Sequence, residues 1–272
     1  MNSLNQAVRL ANAEQEVLFG GKCASLSLAL RAGLPAPDGY GLSVALVKRV
    51  AAGDATAISD VDALFGQLAP ALAVRSSAVG EDSEGVSFAG QHLSVLNVMS
   101  AEAMLTAIVA VHDSAHSAEA LAYRQKMGVI GEPAMAVVLQ RQVASDVAGV
   151  MFTRNPISGE EERYIEASWG LGEAIVAGLV VPDSFRISAD GSVIEQTAGE
   201  KDIKLVATAD GRAEEVEVTA ALVEALCLNA QQLSQLHQLA ASCEKVYGEH
   251  LDIEWAFHDD NLFLLQCRAI TR

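Results

Sequence analysis

Aromatic side chains are scarce in this 272-residue chain, at 5% of all residues, so its core has to be built from Ala, Val and Leu. Basic residues are scarce as well: 18 Lys and Arg stand against 35 Asp and Glu, a formal net charge of −17. Nucleic-acid binding needs clustered cations to neutralise phosphates, so that class of partner is not expected. A single nucleotide remains open, because a few placed cations and a metal hold one triphosphate inside an acidic protein. The four cysteines, Cys23, Cys227, Cys243 and Cys267, show no CxxC spacing and no small secreted framework, which points to reduced thiols in the cytoplasm. The apolar stretch from Ala174 to Val181 contains Gly178 and is far too short to span a bilayer, so no membrane partner is expected. The opening MNSLNQAVRLANAEQ holds no apolar segment with a cleavage site, and no leader is expected. No internal repeat stands out. What is present is ample apolar material, 51% of residues against 19% charged, enough for one large domain or two lobes sharing a cleft.

The two halves differ in pattern. In the first, residues 22–34 predict a short helix ended by Gly33, with Pro35 and Pro37 beyond it. A strand or turn over the start of 38–50 runs into a helix, a loose connection follows, and a second short helix covers Val61 to Leu68. ALAVRSSA predicts a buried strand, residues 79–90 a glycine-rich surface loop, HLSVLNV a strand and residues 101–127 a helix. In the second half, MAVVLQRQV, AGVMFTR, RYIEASW and SFRIS are strand-like runs separated by turns. SVIEQTA and IKLVATA predict a further hairpin, 219–247 a long helix, and LDIEWAFHDDNLFLLQCRAI two strands joined at Asp259-Asp260-Asn261. The expectation is an α+β fold with lobes over 1–134 and 135–272 and a cleft between them.

Several segments carry candidate chemistry. Gly20-Gly21-Lys22 precedes a helix, where glycines let the backbone approach an anion and Lys22 adds charge. Glu16 and Cys23 stand where a P-loop needs Gly and Ser or Thr, so that motif is excluded, and an ordinary glycine turn fits the residues too. Val74-Arg75-Ser76-Ser77 places a guanidinium and two hydroxyls at the end of an apolar strand, suited to phosphate or to capping the strand. Ser87-Phe88-Ala89-Gly90-Gln91 closes the glycine-rich loop and suits either a phosphate cover or a surface turn. Around Trp169-Gly170-Leu171-Gly172-Glu173 a dinucleotide fingerprint fails at Ile175. His112 and His116 have the spacing of a zinc-protease helix, but Asp113 replaces the glutamate, and an exposed helix face is the expectation.

The last segment is the most informative. Residues two apart share one face of a strand, so Asp252 and Glu254 point together, as do Gln266 and Arg268. If the strands pair through the Asp259–Asn261 turn, two acids lie beside an amide and a guanidinium. Carboxylate and amide oxygens are the hard ligands Mg²⁺ prefers, and arginine stabilises charge on a transferring phosphoryl group. A solvated hairpin face with cross-strand ion pairs would use the same residue types, and the residues alone leave both readings open.

Six ordered segments, GGKCASLSLALRAGLPAPDGY, AVRSSAVGEDSEGVSFAGQHLSVLNV, MAVVLQRQV, GVMFTRNP, EASWGLGEAIVAGLVVPDSF and DIEWAF…LFLLQCRAITR, together resemble the N-terminal ATP-binding part of phosphoenolpyruvate synthase, pyruvate phosphate dikinase and rifampicin phosphotransferase. That resemblance implies an ATP-grasp type fold with nucleotide between two lobes. It implies that Lys22 and Arg75 contact ATP phosphates, that Ser87, Phe88, Ala89, Gly90 and Gln91 cover them, and that Glu254 and Gln266 bind magnesium with Asp252 nearby. Arg268 would stabilise the phosphoryl group, making Lys22, Arg75 and Arg268 the catalytic cations. In the family ATP phosphorylates a histidine on a swivelling carrier domain, which delivers the phosphate to a separate acceptor site. The chain departs in a short Val50–Ala71 region, and none of its six histidines lies in a carrier motif. The expectation is therefore an ATP-dependent phosphotransferase module served by a separate phosphohistidine carrier and acceptor-binding subunit. The alternatives are a nucleotide-binding protein without turnover and an enzyme phosphorylating a small acceptor directly in the cleft.

Overall fold

A computed structural model describes residues 6–80, 93–126 and 131–270. Its centre is set by the apolar run of β5 (Met135–Arg141), buried at every position but the last. A strand apolar on both faces demands cover on both sides. It lies in an antiparallel five-stranded sheet of order β1-β2-β5-β3-β4, with β1 at Ala7–Arg9, β2 at Gly39–Leu42, β3 at Leu72–Ala78 and β4 at Ser94–Val98. Val137 and Leu139 face helices α2 (Val44–Ala51), α3 (Ala55–Asp62) and α5 (Ala101–Ser114), packing with Leu46, Val50, Val61 and Ile108. Val138 faces the other way, onto Phe19, Cys23 and Leu26 of α1 (Glu16–Arg31). Short side chains start the covering helices: Ser43, Asp54 and Ser100 each accept backbone N–H bonds of the first turn.

The second sheet is six-stranded and antiparallel, of order β13-β12-β6-β7-β8-β9, comprising β6 (Val147–Phe152), β7 (Arg163–Trp169), β8 (Asp183–Ile187), β9 (Val193–Thr197), β12 (Leu251–His258) and β13 (Asn261–Ala269). One face is apolar and is covered by α9 (Ala230–Tyr247), which buries Leu233, Leu236, Leu239 and Cys243 against Ile165, Phe185, Ile253 and Trp255. Asn229 and Gln232 start that helix with a reciprocal capping box. Helix α1 touches both halves: Ser25 Oγ donates to the Cys267 carbonyl (2.6 Å), and Tyr247 Oη donates to the Ser25 carbonyl (2.7 Å). Among the described residues no helix is long and apolar enough to cross a membrane.

The structure differs from the sequence reading in five places. Strand β5 belongs to the first sheet, so the change of sheet falls after Arg141, in the 142–146 link, and not at 134/135. The 51–60 connection is partly helical, because Asp54 caps α3. The helix expected over 101–127 breaks at Ala115, and α6 (Ala118–Lys126) restarts on the Ser117 hydroxyl. The helix expected over 219–247 is α8 (Ala220–Val223) and then α9, because 224–228 carries Cys227 and Leu228 into the core. β9 pairs with β8, while β10 (Ile203–Ala207) pairs with β11 (Ala213–Glu217). Each of these strands takes the partner across its own short turn, at Asp190-Gly191 and Asp210-Gly211, and β11, exposed along its length, carries no burial pattern to announce it.

Lys201, in the link from β9 to β10, forms a fully buried ion pair with Asp183, the first residue of β8. Asp183 Oδ1 accepts from Lys201 Nζ and from the Gly199 N–H (2.8 Å), and Oδ2 accepts from the Cys227 N–H (2.7 Å). Removing one partner strands the other charge without water, so Lys201→Met is expected to lower unfolding free energy by about 3–5 kcal/mol in denaturant titration. The double variant Lys201→Met/Asp183→Asn should recover part of that loss. A second polar knot holds the 153–162 loop: buried Glu162 accepts from Asn155 Nδ2 (2.6 Å) and from Arg186 Nε (2.7 Å). The hydrogen bond from Arg186 holds its carboxyl below the usual carboxylate range. A depressed carboxylate contributes stability above its unfolded pKa and loses it as pH falls through the folded value. The stability gap between wild type and Glu162→Gln should therefore be full at pH 7 and close below about pH 4, read by chemical denaturation across pH.

Candidate active site

The terminal hairpin supplies the carboxylates. Asp259 and Asp260 turn it with positive φ (47° and 60°), the two-residue form that matches strand twist. The resulting register sets Asp252 opposite Arg268 and Glu254 opposite Gln266. Arg268 donates to Asp252 Oδ2 from Nε (2.9 Å) and lies 2.8 Å from it through Nη2. Burial pushes the Asp252 carboxyl up, against the pull of Arg268. After Glu254 the register slips, Trp255 pairing with Leu264, which leaves Leu265 as the extra residue of a bulge. Bulges re-aim backbone groups, and this one offers the Leu265 carbonyl to the neighbouring sheet.

Arg75 of β3 receives that offer. Its Nη1 donates to Leu265 O (2.7 Å) and to Gln140 Oε1 (3.3 Å), and its Nη2 donates to Glu254 Oε2 (2.8 Å) and Gln266 Oε1 (3.0 Å). With only 11% of its side chain exposed, the guanidinium is almost enclosed by acceptors. Glu254 Oε2 and Gln266 Oε1 thus converge on one nitrogen from opposite strands. Two oxygens aimed at one cationic atom also suit a hard divalent ion, so the donor set fits magnesium.

Lys22 approaches from α1. The helix is broken at Gly20, whose φ of +75° and position 2.0 Å from the Ser77 carbonyl, measured from a Cβ placed there, exclude any side chain. Ser77 Oγ donates to Phe19 O (2.7 Å) and accepts from the Cys23 N–H (3.0 Å), fastening the break to β3 two residues beyond Arg75. Lys22, on the first turn after the break, is buried. Ser87, Phe88, Ala89, Gly90 and Gln91 lie outside the described residues.

A cavity of about 220 Å³ opens between the sheets. Ala73, Arg75 and Leu96 wall it on one side, Gly149, Val150 and Glu254 on the other, and Gln142 and Val143 of the link close one end. Gly149 is required there, since a Cβ would lie 2.0 Å from the Glu166 carbonyl and 2.6 Å from the Trp255 ring. Lys22, Asp252, Gln266 and Arg268 are not among its walls. Two wall residues escaped the sequence reading, Gln140 and Glu173. Burial raises the Glu173 carboxyl. Its segment carries both the family resemblance and the failed dinucleotide motif, and the acid after Gly172 is the signal that marks it. His112 and His116 stack with ring centroids 4.6 Å apart, and among the described residues the single cluster of three ligand-type side chains is Asp146, His258 and Asp259, which excludes both.

Two antiparallel sheets with helices packed on them, and a cavity between the sheets, make the α+β arrangement expected from the sequence. Solved structures that align with most of the chain include the dinucleotide-forming acetyl-coenzyme A synthetase 1 of Ca. Korarchaeum cryptofilum, with TM-score 0.45, 10% identity and 92% of each chain covered. Among curated proteins, the probable phosphoenolpyruvate synthase of Methanothermobacter thermautotrophicus is 38% identical over 74% of this chain and 29% of its own length. The rifampicin phosphotransferase of Streptomyces sviceus is 37% identical over 74% of this chain and 23% of its own. The prodigiosin synthesizing transferase PigC of Serratia marcescens is 34% identical over 93% of this chain and 31% of its own. The chain therefore spans 23–31% of these relatives' lengths. The family described as pyruvate phosphate dikinase, AMP/ATP-binding domain, matches residues 42–272, and the chain belongs to that family.

Proposed function

We propose that the domain binds Mg-ATP in the cleft and passes a phosphoryl group to a histidine on a separate carrier protein or subunit, which delivers it to a small-molecule acceptor. The observation that carries the reading is the convergence of Arg75 and Glu254, from the two sheets, at the wall of one cavity, with Gln266 bonded to the same guanidinium behind them. The base lies in the cavity between Val143 and Glu173, and the phosphates run toward Arg75 and Lys22. Glu254 and Gln266, with Asp252 beside them, would hold magnesium, which would supply positive charge against the phosphates. Arg75 and Arg268 orient the transferring group and stabilise the charge it develops. An imidazole nitrogen lone pair forms the N–P bond as the bridging P–O bond breaks, its electron pair leaving on the departing phosphate. The length of the relatives supports a partner that carries histidine and acceptor site. Four buried cysteine thiols support a reducing compartment such as the cytoplasm.

Arg75→Ala should weaken ATP binding about tenfold or more in calorimetry, the scale of a lost charge-assisted hydrogen bond. Unchanged affinity would remove Arg75 from the nucleotide site. With Mg-ATP labelled in its phosphates and a carrier domain, the protein should place acid-labile, base-stable label on carrier histidine, and Glu254→Gln should slow this by about 100-fold. Tight ATP binding with no label transferred to any carrier would favour a binding-only protein.

A further inference from the structure

Arg75 stands where a metal ion would. Its Nη2 is bonded to both candidate metal ligands, Glu254 Oε2 at 2.8 Å and Gln266 Oε1 at 3.0 Å. Its Nη1 takes the Leu265 carbonyl freed by the bulge at 2.7 Å. Guanidinium keeps its charge at every working pH, so it cannot yield the place by losing a proton. A metal needs the same lone pairs at roughly 2.1 Å and, in this enclosed setting, meets a like charge at contact distance. The neighbouring cation, Arg268, is engaged by Asp252 and does not share these two oxygens in the described contacts. Phosphate is the ligand that changes the balance, since its oxygens bind a guanidinium in bidentate fashion. Arg75 also lines the cavity, so it has space to turn toward such oxygens.

We propose that Arg75 is a resident cation that keeps divalent metal out of the Glu254–Gln266 pair until nucleotide phosphates draw it away, so that metal enters only together with nucleotide. This rests on the nucleotide reading above and adds an order of binding to it. The apparent affinity of the site for bare metal is reduced by the fraction of molecules in which Arg75 is displaced.

The test uses Mn²⁺ as the probe, its free signal followed by electron paramagnetic resonance, with a non-hydrolysable ATP analogue present or absent. Wild type without the analogue should show no Mn²⁺ site sensitive to Glu254→Gln, and with the analogue it should gain one. Arg75→Met should bind Mn²⁺ without nucleotide about tenfold or more tighter than wild type, as expected when nine in ten molecules are blocked. Arg75→Lys, which keeps the charge, should gain less. A nucleotide-independent Mn²⁺ site in wild type that Glu254→Gln abolishes would overturn the inference, and that comparison stands even if Arg75→Met does not fold. Failure of wild type to bind the analogue in calorimetry would instead overturn the nucleotide reading, and this inference with it.

Discussion

One guanidinium holds the two sheets in register across the cleft. Arg75 leaves the middle of β3 and closes on a carbonyl, a carboxylate and an amide of the terminal hairpin, 179 to 191 positions away in sequence. The Leu265 carbonyl is available among them because the hairpin bulges after Glu254. Glu254 and Gln266 would be left as under-paired polar groups beside a core without that charge, and Arg75 would be an uncompensated cation without them. The geometry of the candidate site and the joining of the lobes are therefore one constraint.

Helix α1 reinforces it from the opposite direction. Its residues Phe19, Cys23 and Leu26 belong to the core against β5, Ala29 belongs to the core under the second sheet, and Ser25 bonds to β13 and α9. The break at Gly20 is what lets the helix enter between them, with Ser77 fastening the broken turn to β3. The chain thus places Lys22 close to the strand that carries Arg75 by packing alone, and the polar groups of the cleft inherit a rigid frame.

Much of this frame was legible in the residues. That Asp252 and Glu254 share one face of a hairpin strand, beside a strand carrying Gln266 and Arg268, follows from two-residue alternation and a turn-rich Asp-Asp-Asn tip. The pairing of Glu254 with Gln266 and of Asp252 with Arg268 depends on the bulge. The strands Leu72–Ala78 and Met135–Arg141 announce themselves as apolar runs. What was hidden is what depends on long-range pairing. No local pattern says that β5 inserts between β2 and β3. The bulge at Leu265 is invisible because Leu264-Leu265 reads as uninterrupted strand, and the link between Arg75 and the hairpin is invisible for the same reason. The exposed β11 carries a single β-branched residue, Val216, among three acids and an alanine, so neither period nor propensity marks it.

The most direct test of the account is a crystal structure of the protein with Mg²⁺ and a non-hydrolysable ATP analogue. The account predicts the base beside Val143 and Glu173, the phosphates against Arg75, and a metal touching Glu254 and Gln266. Nucleotide bound away from this cleft, with Arg75 still closed on Glu254 and Gln266, would contradict it.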